Sequence, residues 1–337
     1  MILDIKPLGF HWQTYDPFLF CAYHFDKFPR GNGSFGPVTS LAGRNIGMDF
    51  EIRDGFRMYH GDKVPGFPAH PHRGFETITI VQQGLVDHAD SLGAAGRYGQ
   101  GDVQWLTAGR GIQHSEMFPL VNEQTPNPLL LFQLWLNLPA KNKMAPPHFS
   151  MFWNDQMPRV KEVDAAGRTI QVEITAGDYA GTKALPPPPH SWAADANNHV
   201  AAWVIDLAAN AEWTLPAAVS GLNRALYFFE GEEAVFDSLT VKAMHSLRLA
   251  SDKPLSIRNG SKPTRLLFLQ GRPINEPVAQ HGPFVMNTRN ELIEAFNDYQ
   301  KDHFGGWPWP RHDQVHGDRQ RFARYIDGSE SAPAIKD

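Results

Sequence analysis

Apolar residues in this chain come in short runs cut by glycine. Between positions 75 and 111 a run at 77–81 is followed by Gly84, Leu85-Val86, and then Gly93, Gly96, Gly99 and Gly101. This is the strand-and-turn rhythm of a barrel or sandwich. The run at 129–136 is apolar enough to be a strand buried on both faces. Its period alone leaves a buried helix open, and its β-rich surroundings favour the strand. A second block of strand-like runs lies at 200–207, 224–229, 246–249 and 264–269. Between the blocks, 139–147 is rich in proline and lysine and 185–191 holds four consecutive prolines, which places a crossing between two β domains there. Leu292, Ile293 and Phe296 behind a Thr288-x-x-Glu291 capping box predict one short helix. From Trp307 onward no period is sustained, and the last ten residues read as disordered.

Composition sharpens this picture. A chain of 337 residues exceeds what one core usually holds, so two cores are expected. The 29 glycines and 27 prolines rule out long helices over most of its length. No stretch of about 18 uncharged apolar residues offers a membrane span. The start, Met1-Ile-Leu-Asp-Ile-Lys-Pro7, lacks the pattern of a secretory signal, which makes a cytoplasmic location the expectation. With 31 basic against 36 acidic side chains the net charge is -5, the wrong sign for wrapping nucleic acid. Cys21 is the one cysteine and reads as a small buried apolar residue; an internal disulfide and a thiolate-rich metal site are excluded. A metal must therefore sit on His, Asp or Glu.

His70-Pro71-His72 places two imidazoles at i and i+2, which project from one face of an extended segment. His114-Ser115-Glu116 repeats the spacing with an imidazole and a carboxylate, at a separation that accommodates several barrel strands. Gly74, Gly84, Gly101, Gly109 and Gly111 frame the two motifs and permit tight turns. One such pair alone is a weak signal; two pairs in a glycine frame make a specific one. Other candidates carry a blander reading. His245 reads as a packed core residue, His88 as a turn residue, and Trp105 and Phe75 as barrel core. Arg110 and Gln113 are candidates either for lining a pocket or for satisfying backbone groups in the turn.

The stretch His70-Pro-His-Arg-Gly-Phe-Glu-Thr77, followed by Gly101-Asp-Val-Gln-Trp-Leu-Thr-Ala-Gly-Arg-Gly-Ile-Gln-His-Ser-Glu116, resembles the cupin superfamily and, more narrowly, the pirin family. The likeness extends to 133–139, 176–179 and 271–277, so it covers roughly residues 5 to 310. It implies an all-β fold of two tandem cupin barrels with a short C-terminal helix. The expected division is a metal-bearing barrel at 1–140, a crossing segment at 141–197, a barrel without metal at 198–290, a helix at 288–300 and a tail at 306–337. The resemblance further implies Fe(II) on His70, His72, His114 and Glu116, with Glu76 orienting an imidazole rather than binding the ion. An N/O donor set of this kind also accepts Mn, Ni, Cu, Co or Zn.

For function the resemblance implies a dioxygenase that opens a flavonol such as quercetin with O2 and releases CO, Glu116 taking the substrate proton. The alternative it implies is an iron-containing redox-sensing co-regulator that docks a partner protein, since the net charge disfavours direct nucleic-acid binding. A structural zinc barrel is the bland alternative, and a site free of thiolates fits it poorly.

Overall fold

The computed structural model describes residues 1–334, and the chain falls into two compact units. One comprises Ala22–Asp155 and the chain from Glu276 onward; the other comprises Met1–Cys21 and Gln156–Asn275. Each unit is a two-sheet β-barrel of the cupin type.

The first barrel is built from β1 (Gly66–His72), β2 (Phe75–Gln83), β3 (Leu85–Asp90), β4 (Ala95–Gly99), β5 (Val103–Thr107), β6 (Ile112–Met117), β7 (Leu129–Asn137) and β8 (His148–Phe152). One sheet runs β8–β5–β2–β7, and in the other β4, β3, β6 and β1 are neighbours in that order. The β-branched run Thr77-Ile-Thr-Ile-Val81 suits β2, whose residues from Phe75 to Val81 are all buried. Gly74 makes the β1–β2 turn possible. Its φ is +88°, and a Cβ there would collide with the carbonyl oxygen of Val285.

The second barrel has a seven-stranded sheet and a four-stranded one. Its strands are β9 (Arg159–Val163), β10 (Thr169–Ala176), β11 (Ala201–Leu207), β12 (Glu212–Leu215), β13 (Asn223–Glu230), β14 (Glu233–Phe236), β15 (Leu239–Lys242), β16 (His245–Leu249), β17 (Leu255–Asn259) and β18 (Thr264–Gly271). The N-terminal strand Ile2–Pro7 pairs with β16 at the edge of the larger sheet. Apolar side chains fill the interior, among them Trp203, Leu226, Phe228, Phe236, Ile257 and Phe268. His245 is only half-buried at the start of β16, its Nδ1 facing the carbonyls of Lys242 and Ala243, so it is not the packed core residue expected.

The remaining chain returns to the first barrel. Helix α1 (Arg289–Asp302) starts at a capping box in which Thr288 and Glu291 satisfy each other's backbone N–H groups. Beyond it, β19 (Phe322–Arg324) pairs with β4, and β20 (Glu330–Ser331) pairs with β19. The expected disorder of the last ten residues is therefore corrected for 328–334: Ser331 Oγ accepts from Trp153 Nε1 at 3.2 Å and Asp155 accepts from the N–H of Ala334. Residues 335–337 lie outside the described residues. The division along the chain also differs from the linear one expected. The supposed crossing segment 141–197 contributes β8 to one barrel and β9 and β10 to the other, while each barrel's unit is made of two segments that are not contiguous in the sequence.

Arg97 on β4 fixes the returning chain. Its Nε and Nη2 donate to the two oxygens of buried Asp87, both at 2.7 Å, and its Nη1 donates to the carbonyls of Gly317 and Arg319. Removing one member of a buried pair strands the other charge. Asp87→Ala is expected to lower unfolding free energy by about 3–5 kcal/mol, read as a shifted urea midpoint; a midpoint equal to the parent's contradicts this account of the pair.

Candidate metal centre

Strand alternation sends His70 and His72 from β1 and His114 and Glu116 from β6 to one side of their sheet. In the register of the two strands His70 lies opposite His114, and an irregularity between Phe67 and His70 then brings Glu116 opposite Phe67. The facing sheet closes the site: Thr79 and Gln133, opposed to each other on β2 and β7, both reach Glu116. Phe75 and Trp135 pack together with ring centroids 4.2 Å apart, and each also lies against His72.

The result is a cluster of three imidazoles. His70, His72 and His114 each offer a ring nitrogen within 4.8 Å of the others. His72, His114 and Glu116 are buried, while His70 is partly exposed and marks the open side. His70 Nδ1 lies 2.9 Å from the carbonyl of Pro68 and so carries the hydrogen, which leaves a lone pair on Nε2. That Nε2 is 3.1 Å from Nε2 of His114, which is itself 3.7 Å from Oε2 of Glu116. Among the described residues no well-formed hydrogen bond reaches either ring nitrogen of His72 or Nδ1 of His114, although the Pro283 carbonyl is close enough to His72 to favour its protonated form slightly. Buried polar atoms without partners are costly, on the order of 1–3 kcal/mol each. Unpaired imidazole nitrogens converging beside a carboxylate are what a divalent cation requires, so the residues fit the metal that a cupin barrel implies.

Burial dominates the electrostatics. It lowers His70 to about 4, opposed by the Pro68 carbonyl, and holds His72 and His114 well below the ordinary 6.5, with the neighbouring imidazoles adding to the shift. All three rings are neutral at pH 7, the state that binds metal. Burial raises the Glu116 carboxyl; the donor on Gln133 (2.7 Å to Oε2), the nearby His88 and the Thr79 hydroxyl (3.3 Å to Oε1) oppose it.

Other candidates fall elsewhere. Glu76 sits on the face of β2 opposite to Thr79 by alternation, and its carboxylate accepts from Thr107 at 2.6 Å, so its place does not match the imidazole-orienting role expected. Gln113, between Ile112 and His114, points out of the barrel and accepts from the Tyr299 hydroxyl at 2.6 Å. Arg110 is exposed in the turn before β6, on a groove shared with Arg73, Lys301 and Phe304 rather than on the imidazole cluster. The main chain of Arg110 is itself satisfied in that turn, its N–H donating to Ala145 and its carbonyl accepting from Arg73. Trp105 lies in register with Ile78, on the same reverse face as Glu76.

Two neighbours were overlooked. His88 is not a turn residue: it is fully buried on β3, opposite Glu116, with its ring centroid 5.4 Å from that of His114 and its Nε2 3.1 Å from Asp90. The alternation of 85–90 carried a signal for a strand facing inward at His88 and Asp90. Gln133 had no comparable signal, because its role depends on which strand β7 pairs with.

A barrel with a His-rich cluster, followed by a second barrel filled by apolar side chains, defines a double-barrelled cupin. The Pirin family profile matches residues 8–136 and that of the Pirin C-terminal cupin domain matches 202–305. A pirin-like protein of Solanum lycopersicum is 40% identical over 270 residues, covering 77% of this chain and 86% of that protein. A Pseudomonas aeruginosa protein provisionally named quercetin 2,3-dioxygenase is 38% identical over 239 residues, covering 71% of this chain and 79% of its own. The crystal structure of quercetin 2,3-dioxygenase from Acinetobacter baumannii superposes with a TM-score of 0.70 at 27% identity, covering 90% of this chain and 98% of that one. The chain belongs to the pirin family.

The depressed imidazoles give a pH signature for the metal-free protein. Each ring binds a proton less readily folded than unfolded, so the unfolded chain gains protons first as pH falls. The stability these rings contribute is complete above about 6.5 and is lost from there toward about 4. Urea midpoints are expected to fall over that interval, and less steeply in His70→Ala; parallel slopes for the two proteins count against buried neutral imidazoles.

Proposed function

We propose that this chain is a metal-dependent dioxygenase in which His70, His72, His114 and Glu116 hold one divalent ion of the iron class. The observation that carries the reading is the convergence of unpaired, neutral imidazole nitrogens beside a carboxylate whose two oxygens are already oriented by Thr79 and Gln133. The relatives named for quercetin 2,3-dioxygenation supply the substrate class, a flavonol or similar enol-bearing aromatic. When bound, such an ion supplies Lewis acidity toward an enol oxygen and a site for dioxygen.

The chain's own residues do the rest. His70, on the open side, stands where a substrate must arrive. Phe75, buried, and Trp135, partly exposed, pack against His72 and hold its ring in place. Glu116 is the base for the substrate hydroxyl: burial raises its carboxyl, so a proton gained there is retained more readily than on a solvated carboxylate. Gln133, donating to Oε2, keeps that carboxylate turned toward His114. For quercetin, both atoms of O2 enter the opened ester, and the ring carbon bearing the 3-hydroxyl leaves with its own oxygen as carbon monoxide.

Protein reconstituted anaerobically with Fe(II) is expected to consume O2 and release CO when quercetin is added, whereas metal-free protein and His72→Ala do neither. Full iron occupancy without O2 uptake across a set of flavonols would sink the oxygenase reading. Gln133→Leu, which takes away a donor bonded directly to Glu116, should weaken metal binding about 10- to 100-fold, measured by competition with a chromogenic chelator.

A further inference from the structure

The strands that carry the cluster are gripped from outside by residues 298–316, and the grip falls next to the candidate ligands. Arg73 follows His72; its Nη1 donates to Asp298 of α1 at 2.9 Å and its guanidinium lies 4.6 Å from the Phe304 ring. Ala69 precedes His70, and its N–H donates to the carbonyl of His312 at 2.8 Å. Gln113 precedes His114 and accepts from Tyr299. On β3, opposite His114 and Glu116, the carbonyl of Asp90 accepts from Trp309 Nε1 at 2.7 Å and that of His88 from a ring nitrogen of His316 at 2.8 Å. Ser91 joins the set, donating to the Phe304 carbonyl and accepting from the N–H of Gln113.

Alternation explains the arrangement. In β6 the residue between two inward side chains faces outward, so a hold on Gln113 acts on the backbone from which His114 projects. Three strands are held in this way at six points, counting Arg73 and Ser91 just past the ends of β1 and β3, and each hold lies within two residues of a cluster member or of the residue paired with one. Trp309, His312 and His316 lie beyond residue 305, where the family profile stops. We propose that α1 and the chain through His316 form an external clamp that sets the spacing of β1, β6 and β3, making Tyr299 and Trp309 positioning residues for the metal. This rests on the metal reading above, not on the identity of the substrate.

The test is Co(II) binding to the full chain, followed by visible absorption and chelator competition. Tyr299→Phe removes one hydroxyl and Trp309→Phe one N–H, each keeping an aromatic ring in place. Arg319→Ala, in the same returning segment, loses only an exposed pair with Glu330 and a ring contact with Phe322 and serves as control. Each of the first two variants is expected to bind Co(II) about threefold to tenfold more weakly, below the cost of losing a bond made directly to a ligand, with altered d–d bands. The thermal midpoint of the metal-free protein should stay with that of the control. Affinity and bands matching the parent's, or an affinity loss equalled by the control, overturn the clamp. A parent chain that binds no Co(II) or Fe(II) overturns the metal reading and the clamp together.

Discussion

The structure turns on one constraint: three neutral imidazoles and a carboxylate converge on one side of a sheet, with His72, His114 and Glu116 buried. Among the described residues no well-formed hydrogen bond satisfies the two nitrogens of His72 or Nδ1 of His114, and such atoms are tolerated only where the surrounding packing more than offsets their desolvation. Here the packing is provided by the sheet β8–β5–β2–β7, whose inward residues either wall the cluster, as Phe75 and Trp135 do, or hold Glu116, as Thr79 and Gln133 do. The cluster is disfavoured electrostatically and held together by packing, which suits the divalent ion proposed above.

What could be read in advance followed from short-range physics. The apolar run at 77–81 and the Thr288-x-x-Glu291 box gave a strand and a helix because each depends on neighbours in sequence. His70, His72, His114 and Glu116 were legible for the same reason, spacing at i and i+2 being enough to place two side chains on one face. Parity along β2 and β6 could also have turned Glu76 and Gln113 away from the cluster, had the inward face been assigned first. His88 was misread because a histidine between two aspartates looks like a polar turn, although the same residues pack in a strand once Arg97 neutralises Asp87 and Asp90 meets the ring. Gln133 and the course of 306–334 were beyond local reasoning, since both depend on pairings between segments far apart in the chain.

The same distance between partners governs how the first barrel comes into being. β19 sits beside β4 although more than two hundred residues separate Phe322 from Arg97, its register partner. Contacts of such separation form late, because loop-closure entropy opposes them until other structure has shortened the path. During synthesis, then, the imidazoles can gather while their outer wall is still inside the ribosome or not yet translated. Until then the edge of β4 has no partner from the end of the chain, and its sheet is complete only when the last strands have docked.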